Sequence, residues 1–148
     1  NTTVLRISSR ERSCMDEVRF IGLKKIIGDK GSVAHIIRSP DFQIKEVYMS
    51  SVHKNAVKGW KKHVSMTLNL VVIKGSVKFT FVKGSQTCEH TIGEENYGRL
   101  VVKPGCWVCF EGLDQENLII NCADMAHDPS EVKVIPFKGY SCDVFKWD

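Results

Sequence analysis

Short segments in which apolar and polar side chains alternate recur along this chain, and long stretches of 3.6-residue periodicity are missing. β-branched and aromatic residues concentrate in the same segments. The pattern predicts strands over 20–27, 32–38, 44–52, 67–73, 76–83, 88–92, 99–102, 107–111 and 117–122, with a further short strand over 133–136. Turn residues separate them: Gly28-Asp29-Lys30-Gly31, Ser39-Pro40-Asp41, Lys74-Gly75, Lys83-Gly84-Ser85, Gly93-Glu94-Glu95-Asn96, Lys103-Pro104-Gly105 and His127-Asp128-Pro129. Only EENYG and DPSEV read as short helical turns, the latter with Asp128 as its cap. Many short strands between frequent turns predict an all-β sandwich or barrel.

Composition narrows this little. At 148 residues, 43% hydrophobic and 26% charged, the chain fits one globular domain able to bury a real core. No repeat, low-complexity tract or linker interrupts it, so a single domain over 1–148 is expected, with a core at about 20–136 and an extension at each end. The net charge of +4 comes from scattered basic residues, which argues against a nucleic-acid stripe. No stretch approaches the ~20 apolar residues of a membrane span, and the first residues lack the apolar centre of a signal peptide. The expectation is therefore a cytoplasmic protein with neither a membrane nor a nucleic-acid partner.

Six cysteines, Cys14, Cys88, Cys106, Cys109, Cys122 and Cys142, read mostly as small buried hydrophobes. Cys106-x-x-Cys109 has metal-ligand spacing but sits on an alternating strand, where its two side chains face opposite sides of the sheet.

The densest basic cluster is Lys54, Lys58, Lys61, Lys62 and His63. It lies in VKGWKKHVSMTLNLVVIKG, where a Gly-Trp turn leads through three basic side chains into an apolar strand that ends at a Lys74-Gly75 hairpin. Some thirty residues later GRLVVKPGCWVCF turns at Pro-Gly and re-enters the sheet. This pairing is the layout of a cupin jelly roll, a double-stranded β-helix whose two short motifs line a small barrel. Metal-binding cupins place H-x-H, a glutamate and a later histidine at those points. Here the corresponding positions read Lys61-Lys62-His63, Thr67 or Leu68, and Val108, so one ligand of four is present and no metal cofactor is expected.

DKGSVAHIIR, KEVYMSSVHKNAVKGWKKH, TLNLVVIKGSVKFTFV, EENYGRLVVKPGCWVCFEG and NCADMAHDPSEV resemble, in order, segments of the metal-free cupins that epimerise or isomerise nucleotide-linked 4-keto-6-deoxy sugars, the dTDP-4-dehydrorhamnose 3,5-epimerase-like family. The resemblance implies a cytoplasmic jelly-roll homodimer acting in polysaccharide precursor synthesis, with no cofactor and a nucleotide-diphosphosugar in the barrel. Lys58 falls where the family has a diphosphate-binding arginine, and Lys61 falls at the base histidine. His63 matches the second histidine of related 3,4-ketoisomerases. Asn121 stands at the proton-donating tyrosine and His35 at a glutamate.

A proton next to a ketone is removed by an unprotonated base while a cation or hydrogen bond steadies the enolate oxygen. Histidine, with a reference pKa near 6.5, suits this better than lysine near 10.4. His63 and Lys61 are the candidate bases, two residues apart and able to share a face; His35, if it faces inward, and Asn121 complete the catalytic set. Lys58, with Glu46, Tyr48 and Ser50 alternating along one strand, would contact the substrate, and Trp107 belongs to the core or to a cavity wall that stacks on the base. With the base and tyrosine replaced, single-centre epimerisation or 3,4-ketoisomerisation fits better than full 3,5-epimerisation. A non-catalytic cupin that binds a sugar nucleotide or anionic sugar is the alternative.

Overall fold

The computed structural model describes residues 3–6 and 12–140. In chain order the strands are β1 (Thr3–Arg6), β2 (Arg12–Met15), β3 (Val18–Gly22), β4 (Lys24–Gly28), β5 (Gly31–Ala34), β6 (Glu46–Ser51), β7 (Val57–His63), β8 (Leu68–Lys74), β9 (Ser76–Lys83), β10 (Gln86–Gly93), β11 (Gly98–Val102), β12 (Trp107–Gly112), β13 (Leu118–Ala123) and β14 (Val132–Val134). A 3₁₀ turn, Pro129–Glu131, precedes β14. A six-stranded sheet ordered β2-β3-β11-β8-β13-β6 faces a five-stranded sheet ordered β10-β9-β12-β7-β14, and β1-β4-β5 form a small third sheet. All strand pairings within the three sheets are antiparallel. The two large sheets make the expected jelly roll.

Alternation along the strands builds two separate apolar layers. Between the sheets, Phe20, Leu68, Leu70, Phe79, Phe81, Ile92, Leu100, Val108 and Ile119 pack with their neighbours into the main core. On the far side of the five-stranded sheet, Trp60, Val82, Trp107 and Cys109 form a second cluster under Val57, Ile135 and Phe137. Cys106 belongs to the first layer and Cys109 to the second, so the two cysteines do fall on opposite faces.

Three local expectations are corrected. The 20–27 segment is two strands: β3 ends at Gly22 and β4 begins at Lys24 in a different sheet. Lys74-Gly75 is a corner between sheets instead of a hairpin, because β8 and β9 belong to opposite layers. Gly75 has φ +81°, and a Cβ there would collide with the Glu116 carbonyl oxygen, which is why the corner takes glycine. The Gly-Trp element is part of β7, a strand paired with both β12 and β14. Among the cysteines, Cys88, Cys106, Cys109 and Cys122 are buried, but Cys14 is exposed and joined to Cys88 as a disulfide. Cys142 lies outside the described residues.

Candidate active site

The two sheets close on each other at the β2/β10 side and stand apart where β6 faces β7 and β14. The gap is a two-part cavity. An inner chamber of about 130 Å³ is walled by Leu68, Leu70, Phe79, Val108, Phe110 and Ile119, with Tyr48, Ser50, Lys58, Lys61, His63 and Asn121 as its polar lining. It opens past Tyr48, Lys61 and His63 into a vestibule of about 430 Å³ bordered by Glu46, His127, Pro129, Val132 and Val134. Apolar walls with a few converging polar groups are what a small-molecule site requires.

Strand β7 supplies the basic groups through an irregularity. Lys61 pairs with Val108 and Lys58 with Phe110, so three steps on β7 span two on β12. The extra residue is a β-bulge, and it lets Lys58 join Lys61 and His63 on the cavity side despite its odd spacing. Trp60 and Lys62 take the other face, Trp60 in the second core cluster and Lys62 with its Nζ 5.4 Å from the Trp107 ring centroid. Gly59 makes the bulge possible: with φ +133°, a Cβ there would sit 2.6 Å from Cys109 Cβ.

His63 is held by Glu131, a residue to which the sequence pattern gives no role. Its Nδ1 lies 2.9 Å from Glu131 Oε2, and the other oxygen, Oε1, accepts backbone N–H bonds from Ser65 at 3.1 Å and Met66 at 2.9 Å. Burial alone pushes the Glu131 carboxyl up, but the Met66 amide, the His63 ring and the Ser65 amide outweigh it and the group ends below its ordinary value. An ionised carboxylate only accepts, so Nδ1 carries the ring proton and Nε2 is left as the basic nitrogen. Pairing of β14 with β7, with Val132 opposite His63, brings Glu131 to this point.

Opposite β7, Asn121 is fixed deep in the cavity. Its Oδ1 accepts from the Asn69 backbone N–H at 2.9 Å, and its Nδ2 donates to the Tyr48 hydroxyl at 2.9 Å. That bond occupies an acceptor position of the Tyr48 oxygen and leaves the phenolic proton pointing elsewhere, with Met66 Sδ at 3.9 Å as a weak acceptor. Glu46 accepts the His127 backbone N–H at 2.6 Å. Glu46, Tyr48 and Ser50 thus share the inward face of β6.

Two of the residues chosen from the sequence lie elsewhere. His35 follows β5, exposed on the small third sheet, where its backbone N–H donates to Lys24 O and its carbonyl accepts from the Tyr97 hydroxyl. Trp107 points away from the cavity into the second cluster, since Val108 and Phe110 occupy the inward positions of β12. His63, Lys61, Lys58, Glu46, Tyr48, Ser50 and Asn121 surround one cavity. Nothing in DPSEV marks Glu131 as inward-facing, because the amides that hold it come from the β7–β8 corner. Of the two spaced cysteines, burial pushes the Cys106 thiol up to about 11, which keeps it neutral and unreactive near pH 7.

Two antiparallel sheets enclosing a polar-lined cavity that opens at one edge define a cupin jelly roll. Within that class, the chain belongs to the family described as FdtA: WxcM-like, C-terminal, which matches residues 16–135. It is similar to a dTDP sugar isomerase from Desulfovibrio desulfuricans G20, with 30% identity, 82% of this chain and 85% of that one covered, and a TM-score of 0.77. The fold is shared with a sugar 3,4-ketoisomerase from Thermoanaerobacterium thermosaccharolyticum solved with TDP (20% identity, 85% and 90% covered, TM-score 0.71). It is shared also with dTDP-4-dehydrorhamnose 3,5-epimerase from Sulfolobus tokodaii (19% identity, 86% and 82% covered, TM-score 0.75). A search of curated protein sequences finds no match.

Proposed function

We propose that the protein is an isomerase or epimerase of a nucleotide-diphosphate-linked 4-keto-6-deoxy sugar, with 3,4-ketoisomerisation as the reaction its site fits best. The observation that carries this is the His63–Glu131 pair in a cavity that also holds two lysines. A histidine whose Nδ1 proton is fixed on a buried carboxylate is a base ready at Nε2. Family membership and the dTDP sugar isomerase from D. desulfuricans support the substrate class.

Lys58 at the chamber rim binds the diphosphate, and the sugar enters past Tyr48. Nε2 of His63 removes the C3 proton, the electron pair forms the C3=C4 bond, and the 4-oxygen becomes an enolate beside the Lys61 ammonium. Return of the proton to C4, with the hydroxyl proton moving from O3 to O4, yields the 3-keto sugar. One base can perform both transfers on one face. The Tyr48 hydroxyl, positioned by Asn121, is the group that could instead protonate C3 from the other side and give a single-centre epimer.

The same reading places the protein in the cytoplasm, as a homodimer, in the synthesis of precursors for polysaccharides such as lipopolysaccharide. Val47 and Met49, 57% and 60% exposed on the outward face of edge strand β6, support a face that a second copy covers. A dimeric mass in solution at micromolar concentration is expected; a monomer would remove this element.

The test is turnover of dTDP-4-keto-6-deoxyglucose, with product identified by NMR. Wild-type protein is expected to form the 3-keto isomer and His63→Asn to form none while still binding dTDP. Binding without turnover by the wild type, across dTDP- and GDP-linked keto sugars, would instead establish a non-catalytic sugar-nucleotide binder.

A further inference from the structure

The sandwich edge opposite the cavity is closed by a cluster that the proposed reaction does not use. There β2, the edge of the six-stranded sheet, meets β10, the edge of the five-stranded sheet. Cys88 and His90 are two residues apart on β10 and pair with Phe81 and Phe79, so both side chains leave the inward face. Cys14 is the extra residue of a bulge on β2, between the pairs Ser13↔Arg19 and Met15↔Val18. A bulge re-aims the side chain it adds, and here it sends a sulfur across to the other sheet.

Cys14 Sγ lies 3.2 Å from His90 Nε2 and is bonded to Cys88 Sγ, and the three donor atoms all fall within 4.8 Å of one another. The His90 ring is stacked on Phe20 at 6.1 Å and set edge-on to Phe81 at 6.5 Å, which fixes its orientation. Two sulfurs and one imidazole nitrogen at this spacing are a zinc-type donor set. A tetrahedral ion with Zn–S near 2.3 Å and Zn–N near 2.0 Å holds its ligand atoms roughly 3.5 Å apart. The Cα–Cα separation of 5.8 Å lets the same two cysteines serve either as a disulfide or as a pair of ligands.

We propose that, once the disulfide is reduced, Cys14, Cys88 and His90 form a binding site for a thiophilic divalent metal of the zinc type, tying together the edges of the two sheets. A dithiol or phosphine reductant supplies the two electrons that cleave the S–S bond, two protons complete the thiols, and the reductant leaves oxidised. Metal entry forms two metal–sulfur bonds and one bond to His90 Nε2, releases the two thiol protons to solvent, and changes no oxidation state. The fourth position faces solvent beside exposed Cys14. Ion and disulfide exclude one another, so a bound ion shields the thiols from reoxidation.

The experiment is a Co²⁺ titration of the full chain after anaerobic phosphine reduction and removal of the reductant. One Co²⁺ per chain is expected, with thiolate-to-cobalt charge transfer in the near ultraviolet, the visible bands of tetrahedral cobalt, and displacement by Zn²⁺ together with a rise in Tm. Cys14→Ser, at an exposed position, is expected to fold and to lose the charge-transfer band, as is His90→Ala. Cys122→Ser, a thiol on β13, is expected to keep it. Absence of the band in the reduced wild type, its survival in Cys14→Ser, or an equal band in the disulfide-bonded protein would each overturn the proposal.

Discussion

His63 and Glu131 show how much a single acceptor can decide. A surface histidine exchanges its proton between two nitrogens; this one is committed to Nδ1 by a carboxylate that is itself locked by two amides. Replacing Glu131 with Gln keeps the shape and removes the charge. Turnover is expected to fall about 10²-fold in kcat with KM little changed, the range of a general-base effect. Equal activity in Glu131→Gln would mean that His63 is oriented by something else. Lys58→Ala is expected to do the opposite, raising KM about tenfold, in keeping with loss of one charge-assisted bond worth ~1.4 kcal/mol, and leaving kcat largely intact. The sequence made His63, Lys61 and Lys58 visible because basic side chains beside an apolar strand are conspicuous. It hid Glu131 because its burial depends on the amides of Ser65 and Met66, more than sixty residues away.

Strands built mainly of apolar and β-branched residues were legible even where both faces are buried, and a strand with basic groups on one face and a bulge in its middle was not. β9 runs over Ser76–Lys83 as its pattern predicts, whereas Val57-Lys-Gly-Trp-Lys-Lys-His reads as a turn. Its inward face carries lysine and histidine toward the cavity, its outward face carries Trp60 into the second cluster, and the bulge at Gly59 breaks the period. Leu23, where the chain passes from one sheet to another, likewise shows no change of polarity to announce the break. Trp107 was left open between core and cavity wall for a related reason: aromatic residues suit both equally, and only register separates them. Trp107→Ala is expected to lower stability by about 3–5 kcal/mol in chemical denaturation while leaving nucleotide-sugar KM within twofold among the molecules still folded. Loss of substrate affinity without loss of stability would return Trp107 to the cavity.

At the scale of the whole molecule, the sandwich is held shut along β2/β10 and left open along β6/β14, and the candidate site lies at the open edge. The acid response follows from Glu131. Its carboxyl is lower in the folded protein than its ordinary 4.5, so its contribution is present above that value and fades as pH falls through it toward the folded value. The stability gap between wild type and Glu131→Gln is therefore expected to narrow below about pH 4.5 in denaturant melts, and a constant gap would show that the carboxylate is not ionised in the fold. At the alkaline end Cys106 acts in the other direction. Its thiol rises from 9.0 to about 11, so an unfolded chain ionises first and stability declines between those values, by an amount that Cys106→Ala removes.

The central claim is that this cavity removes a proton from a carbon next to a ketone. It is tested most directly by proton NMR of dTDP-4-keto-6-deoxyglucose in deuterium oxide with catalytic protein, following the C3 and C5 signals. Loss of the C3 signal while C5 persists, abolished by His63→Asn, is the predicted result. Retention of both signals, with line broadening that shows the nucleotide sugar to be bound, would contradict it.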